Sequence, residues 1–186
     1  MKSNFYSDTE LQELGLKSYG KNVLISRKCS IYGAHNISVG DNVRIDDFCI
    51  LSGNVTIGNY VHISAYCALY GRAGITIGNF CGLSPRTTIF SASDDFSGEF
   101  MVSPMVPEHL TKLTAGPVVL NDFVQVGANS VVMPNVTFGT GAVCGVFSFV
   151  KNDLDAWTQN VGIPCRFLCQ RKQNPIKLAE QITDMA

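Results

Sequence analysis

The sequence predicts an all-β chain wound as a left-handed parallel β-helix, a solenoid of six-residue repeats with a long excursion loop and short terminal helices. Three observations carry this. Aliphatic residues recur every six positions, at Val39, Ile45, Leu51, Ile57, Ile63 and Leu69, then at Ile77, Leu83 and Ile89, and again from Leu120 through Val126, Val132, Phe138 and Cys144 to Val150. A smaller inward side chain, such as Val43, Cys49, Val55 or Val61, stands two residues before each. The breaks in the rhythm all fall at one point of a three-unit cycle. A helix repeats every 3.6 residues and a half-buried strand every two, so a strict six fits neither. A solenoid accepts insertions at one edge without losing its stack.

Taken in threes, the units make three faces. Val39, Ile57, Ile77, Leu120 and Phe138 share face I. Each precedes Gly40, Gly58, Gly78, Asn121 or Gly139, which suggests a left-handed backbone at those corners. Ile45, Ile63, Leu83, Val126 and Cys144 form face II, and Leu51, Leu69, Ile89, Val132 and Val150 form face III. Upstream, Ile25 and Ile31 keep the spacing, with a two-residue slip before Val39. The slips and the long break over residues 91–117 leave by the corner after face III. A loop of that length, holding Pro104 and Pro107, reads as a site-forming arm.

The chain therefore divides into a helical lead-in over residues 1–20, the coil stack over 21–152 and an exit segment over 153–186. Ser7-Asp8-Thr9-Glu10 has capping-box spacing, with Gly15 after Leu14 as a stop, so a short helix spans about residues 8–14. The tail from Ile176 to Met185 reads as a helix over the open end.

The seven cysteines include no CxxC pair, so neither a disulfide framework nor a zinc site is expected. Cys29, Cys49 and Cys67 fall in one inward column with Thr87, Ser130 and Ser148, as small core residues would. Net charge is −1, which gives no basic field for nucleic acid or an anionic membrane surface. The N-terminus lacks a signal-peptide core, and no apolar run approaches the roughly 20 residues of a membrane span. A cytoplasmic protein is expected. Outward Ile50, Tyr60, Phe80, Phe123 and Phe149 need cover, for which a homo-oligomer is the simplest source.

The stretches VTIGNYVHISAYCAL, VVLNDFVQVGANSVVMPNVTFGTGAVCGVFSFVKND and NVGIPCRF resemble the hexapeptide-repeat acyltransferases over about residues 20–170. The later segments look like maltose and galactoside acetyltransferases. The front half, with VRIDDFCILSG, FYS and SASDD, looks more like sugar acetyltransferases of bacterial surface-polysaccharide synthesis. The resemblance implies a homotrimer with sites between neighbouring subunits, acetyl-CoA as donor, and a sugar or nucleotide-linked sugar as acceptor. It also implies that Ala128 and Val146 line the pantetheine arm, with Lys151, Asn152 and Arg166 near the thioester end or the phosphates.

Attack by a hydroxyl on a thioester needs a group to remove its proton, and near neutral pH histidine suits this best. His62 stands outward on face II, stacked between Arg44 and Gly82 on neighbouring coils, and is the candidate base. His35 and His109 lie in the corner insertions. The resembling acetyltransferases carry a catalytic histidine at the arm entrance, where this chain has Ser91-Ala92-Ser93-Asp94-Asp95. Ser93, Asp94 and Asp95 are candidates for acceptor binding, as are Asp46 and Asp47. A hydroxyl acceptor is the main expectation, because a histidine is available. An amino sugar, whose neutral amine needs little help, is the alternative. A non-catalytic assembly module or a zinc-dependent γ-type carbonic anhydrase would use the same coil differently.

Overall fold

The computed structural model describes residues 4–183, so the end of the expected tail helix at Met185 lies outside the described residues. The chain is a left-handed parallel β-helix. Face II stacks seven parallel rungs, from Val23–Ile25 through Val43–Ile45, His62–Ile63, Gly82–Leu83, Gln125–Val126 and Val143–Cys144 to Thr158–Val161. The stack extends past the 21–152 span at both ends. Ser18–Tyr19 already pairs with Ile37–Val39, and Thr158–Val161 adds a rung above Val143–Cys144.

Inward Ile, Leu and Val residues from all three faces are buried in one continuous core. Each such side chain withdrawn from water contributes roughly 1.5–3 kcal/mol. Leu11 closes the lower end from helix α1 (Asp8–Glu13). The Ser7–Glu10 capping box forms as expected, and Glu10 pairs with Arg27 on the first coil. Helix α2 (Asn174–Thr183) lies beside the upper coils, with Leu178 and Ile182 facing Phe80 and Phe123 across a small cavity. Among the described residues, no helix is long and apolar enough to cross a membrane.

The corners revise one expectation. Positive φ falls two residues beyond the glycines, on Asn42, Tyr60, Phe80, Phe123 and Gly141. The aromatic members stack in register, Tyr60 on Phe80 at 4.9 Å and Phe80 on Phe123 at 5.2 Å, with Trp157 tilted beyond. A left-handed side chain costs roughly 1–2 kcal/mol, and a ring pair returns about 0.5–1.5. The glycines meet a different demand. A Cβ on Gly58 would lie 2.8 Å from the carbonyl carbon of Gly78, the matching corner of the next coil. They are small because coil touches coil there.

The cysteine column is also more than filler. Cys29, Cys49 and Cys67 donate from Sγ to the corner carbonyls of Asp46, Ser64 and Ser84 at 3.1–3.2 Å. The hydroxyls of Thr87, Ser130 and Ser148 satisfy Ser84 and Gly145 in the same way. The column thus selects small side chains with a donor. Elsewhere, chiefly burial pushes the Cys81 thiol up to about 12 and the Cys144 thiol to about 11, which suits inert packing.

Both short slips and the arm leave by the corner between faces III and I. Continuous strands Ile50–Ile57 and Ala68–Ile77 run through it. The arm begins at fully buried Ser91, whose hydroxyl bridges Tyr70 and Ala73 of the coil below.

Gly58→Ala should cost roughly 1–3 kcal/mol, as overpacking usually does. Gly82→Ala, whose new Cβ meets only the mobile end of the Gln125 side chain, should cost less. Denaturant unfolding of the two variants beside the parent checks the order.

Candidate active site

On face II the register sets Arg44, His62, Gly82 and Gln125 one above another, all pointing outward. The next column holds Asp46, Ser64, Ser84 and Gly127, joined coil to coil by backbone hydrogen bonds. Where these columns meet, Asp46 takes two bonds, from Arg44 Nε at 2.7 Å and with His62 Nε2 at 2.7 Å. Burial raises the Asp46 pKa, but the bonds to His62 and Arg44 outweigh it and hold the carboxyl below its ordinary value. A neutral imidazole facing a carboxylate through Nε2 carries its proton there and leaves the Nδ1 lone pair free. A cavity of about 330 Å³ opens beside this cluster, lined by Asn4, Phe5, Arg44, Asp46, Asp47 and Ala65. Asp47 accepts from Lys28 at 2.8 Å and from Ser26 at 2.5 Å, and these bonds hold its carboxyl down.

The surface over Gly82 is filled. A Cβ there would lie 2.4 Å from Gln125 Oε1, because Gln125 folds across the glycine and donates from Nε2 to Ser84 Oγ at 3.0 Å. The sequence reading missed Ser84 and Gln125 as site candidates. Their signal was positional: Ser84 occupies the hexad position of Asp46 two coils on.

The arm supplies the second group. Ala92–Asp94 pairs antiparallel with Leu113–Ala115. Asp94 is exposed and lines two cavities. One, of about 750 Å³, also includes Arg72, Ser103, Glu108 and Thr111. The other, of about 560 Å³, has mainly apolar walls and includes Ser93. Asp95 turns inward to the arm, accepting from Ser97 Oγ and from the Gly98 and Phe100 amides. Burial raises its pKa, and these bonds prevail to lower it. Its oxygens organise the turn that presents Asp94.

Ala128 and Val146 stand in one column on successive coils, joined by the bond from Phe147 N to Ala128 O at 2.9 Å. Lys151 and Asn152 are exposed just after the last face III strand. Arg166 is exposed at the start of Arg166–Gln170, which pairs antiparallel with Thr158–Val161. Within one chain the structure brings His62 to Asp46 and Ser93 to Asp94. The two groups are not brought together: the first lies on face II and the second on an arm leaving the opposite edge, and no described cavity joins them.

A family profile described as "Bacterial transferase hexapeptide (six repeats)" matches residues 36–71. The dTDP-4-amino-4,6-dideoxy-D-glucose acyltransferase of Escherichia coli is 40% identical over 177 residues, 94% of this chain and 92% of that protein. Among solved structures, the N-acyltransferase AntD of Bacillus cereus, bound to dTDP-4-amino-4,6-dideoxyglucose and coenzyme A, superposes with a TM-score of 0.97 at 45% identity, covering 100% of both chains. The same protein has been solved with dTDP and 3-hydroxybutyryl-CoA, with a TM-score of 0.96 at 46% identity over 99% of this chain and 98% of that one. Its solved variants replace a serine numbered 84 and an aspartate numbered 94, and this chain carries Ser84 and Asp94.

Because Asp46 is held below its ordinary value, it contributes stability above about pH 4 that is lost as pH falls toward its folded pKa. Asp46→Asn should therefore lower the urea midpoint at pH 7, and the difference from the parent should shrink as the pH is taken below about 4. Unfolding curves at pH 7 and at successively lower pH measure the difference.

Proposed function

Since this chain belongs to the hexapeptide-repeat acyltransferase family, we propose that it is an acyl-CoA-dependent N-acyltransferase acting on dTDP-4-amino-4,6-dideoxyglucose or a close nucleotide-linked amino sugar. The carrying observation is Asp94, a carboxylate presented at the wall of two cavities, on the arm-entrance stretch that lacks the histidine of the resembling O-acetyltransferases. A carboxylate orients an amine by accepting its N–H bonds, whereas a hydroxyl nucleophile needs a base. This favours nitrogen over the hydroxyl acceptor that a histidine alone suggested. Full-length similarity to two proteins named for such acyl transfers supports the same choice.

The reaction needs little covalent help. The amine lone pair adds to the thioester carbonyl, forming N–C. The adduct collapses with loss of C–S, and coenzyme A leaves as the thiolate. The nitrogen gives up one proton, which ends on that sulfur. We assign the transfer of this proton to His62, whose Nδ1 stays free to accept while Asp46 holds Nε2. Ser84, tied to Gln125, would share the amine with Asp94.

That division of labour implies two copies of the chain. Ser84 stands at the corner between faces II and III, and Asp94 lies beyond Ile89 on the arm that leaves the other edge of face III. The arm of one subunit would meet face II of its neighbour, as in a homotrimer. Exposed Phe48, Tyr66, Val146 and Phe147 offer apolar surface for that contact. Ala128, Val146, Lys151, Asn152 and Arg166 remain the proposed contacts for the acyl-CoA, with acetyl-CoA the simplest donor. A cytoplasmic enzyme feeding surface-polysaccharide synthesis fits this chemistry.

Incubation with the nucleotide-linked amino sugar and acetyl-CoA should release free thiol and yield an amide, read by mass spectrometry and by the loss of amine reactivity. An ester product, or acylation of the 4-hydroxy analogue at equal rate, would overturn the assignment. His62→Ala should lower turnover about 100-fold with the oligomer intact, the low end of what a general base contributes. Undiminished turnover would instead hand the proton directly to the departing thiolate.

A further inference from the structure

Gln125 leaves its own coil and reaches across Gly82, and nothing in the packing of the stack calls for it. The three atoms nearest a Cβ built on Gly82 are its Oε1 at 2.4 Å, its Cδ at 3.1 Å and its Nε2 at 3.3 Å. Nε2 donates to Ser84 Oγ at 3.0 Å and to the carbonyl oxygen of Val126 at 3.4 Å. A carbonyl only accepts, so the nitrogen end of the amide faces Ser84 and the oxygen end lies over Gly82. Gly82 is not left-handed, so its missing side chain answers to Gln125 and not to a turn.

Ser84 is held just as firmly. Its N–H donates to Val126 O at 2.9 Å, and its carbonyl accepts from Thr87 Oγ1 at 2.8 Å and from Cys67 Sγ at 3.2 Å. Only the hydroxyl is left for a ligand, and it is half-buried at the corner. A hydroxyl has one proton and two lone pairs. Gln125 occupies one lone pair, which leaves the proton and one accepting site turned away from the amide. The attacking amine must keep its own lone pair for the thioester carbon, so it offers Ser84 only an N–H. The accepting site meets that N–H, and the proton stays unspent. The neighbouring carbonyl oxygen takes up an electron pair as N–C forms and returns it as C–S breaks. A fixed donor aimed at that oxygen stabilises charge where it develops.

Resting on the N-acyltransferase reading, we infer that Gln125 is a positioning residue, seated by Gly82, that fixes Ser84 as a hydrogen-bond donor to the thioester carbonyl oxygen. A side chain that accepted from Ser84 would consume the proton and turn two lone pairs toward the developing negative charge.

Gln125→Glu tests this polarity, because a carboxylate of the same shape only accepts. With the nucleotide-linked amino sugar and acetyl-CoA, kcat should fall about 100-fold, the low end of the cost of losing one such donor, with little change in KM for acetyl-CoA. Gly82→Ala displaces the amide at small cost to the coil, and should lower kcat about tenfold or more in the same pattern. In a Ser84→Ala background neither substitution should lower kcat further, since both act through that hydroxyl. Damage to the fold would instead multiply with the Ser84→Ala loss. Parental kcat in Gln125→Glu, or losses that multiply in the double variants, overturns the positioning role and leaves the acyltransferase reading standing. A parent that forms no amide on this sugar removes that reading and the positioning role together.

Discussion

Each coil hangs from the one before it by parallel backbone hydrogen bonds, and that ladder sets everything else. Coils about 4.8 Å apart put like positions within contact distance along the whole stack. A residue is then judged chiefly by what stands above and below it. Gly58 is glycine because Gly78 is too close, and Tyr60 accepts a left-handed backbone because Phe80 lies parallel to it. Cys49 is small and carries a donor because the carbonyl of Ser64 turns inward beside it.

The same rule builds the polar strip on face II. His62 joins the local Arg44–Asp46 pair only because the register stacks residues 16 to 18 apart in sequence. The rigidity of the stack lets a short cluster hold a fixed geometry without a surrounding pocket. The arm is the complement: a long insertion anchored by buried Ser91, whose first strand holds Asp94 against the coil stack at the edge opposite face II. A rigid face and a reaching arm, on opposite edges of one chain, suit a site that closes only between copies.

Much of the coil was legible because a six-residue period has few other causes. The inward columns, the shared exit corner and the His62 stack between Arg44 and Gly82 all follow from counting. The site was less legible, for physical reasons. Periodicity says which way a side chain points but not which neighbour fills the space, so Gln125 folding over Gly82 went unseen. Ser84 looked like any corner residue, since its distinction is a partner 41 residues away. Asp94 and Asp95 read alike in sequence, and only the arm's turn separates the acceptor spent on Ser97 from the carboxylate left at the cavities. The missing histidine at the arm entrance left an amino sugar open as the alternative acceptor, and similarity to two acyltransferases named for a dTDP-linked amino sugar favours it over the hydroxyl that His62 suggested.

A site shared between subunits is the account's central claim, and complementation tests it most directly. Ser84→Ala and Asp94→Ala chains, each weakened alone, would be unfolded and refolded together in equal amounts. If one chain's Ser84 meets its neighbour's Asp94, random assembly restores both groups in about one site in four. Recovery of roughly a quarter of the parent's activity is the expected result. Activity no higher than that of the two variants assembled separately would contradict it.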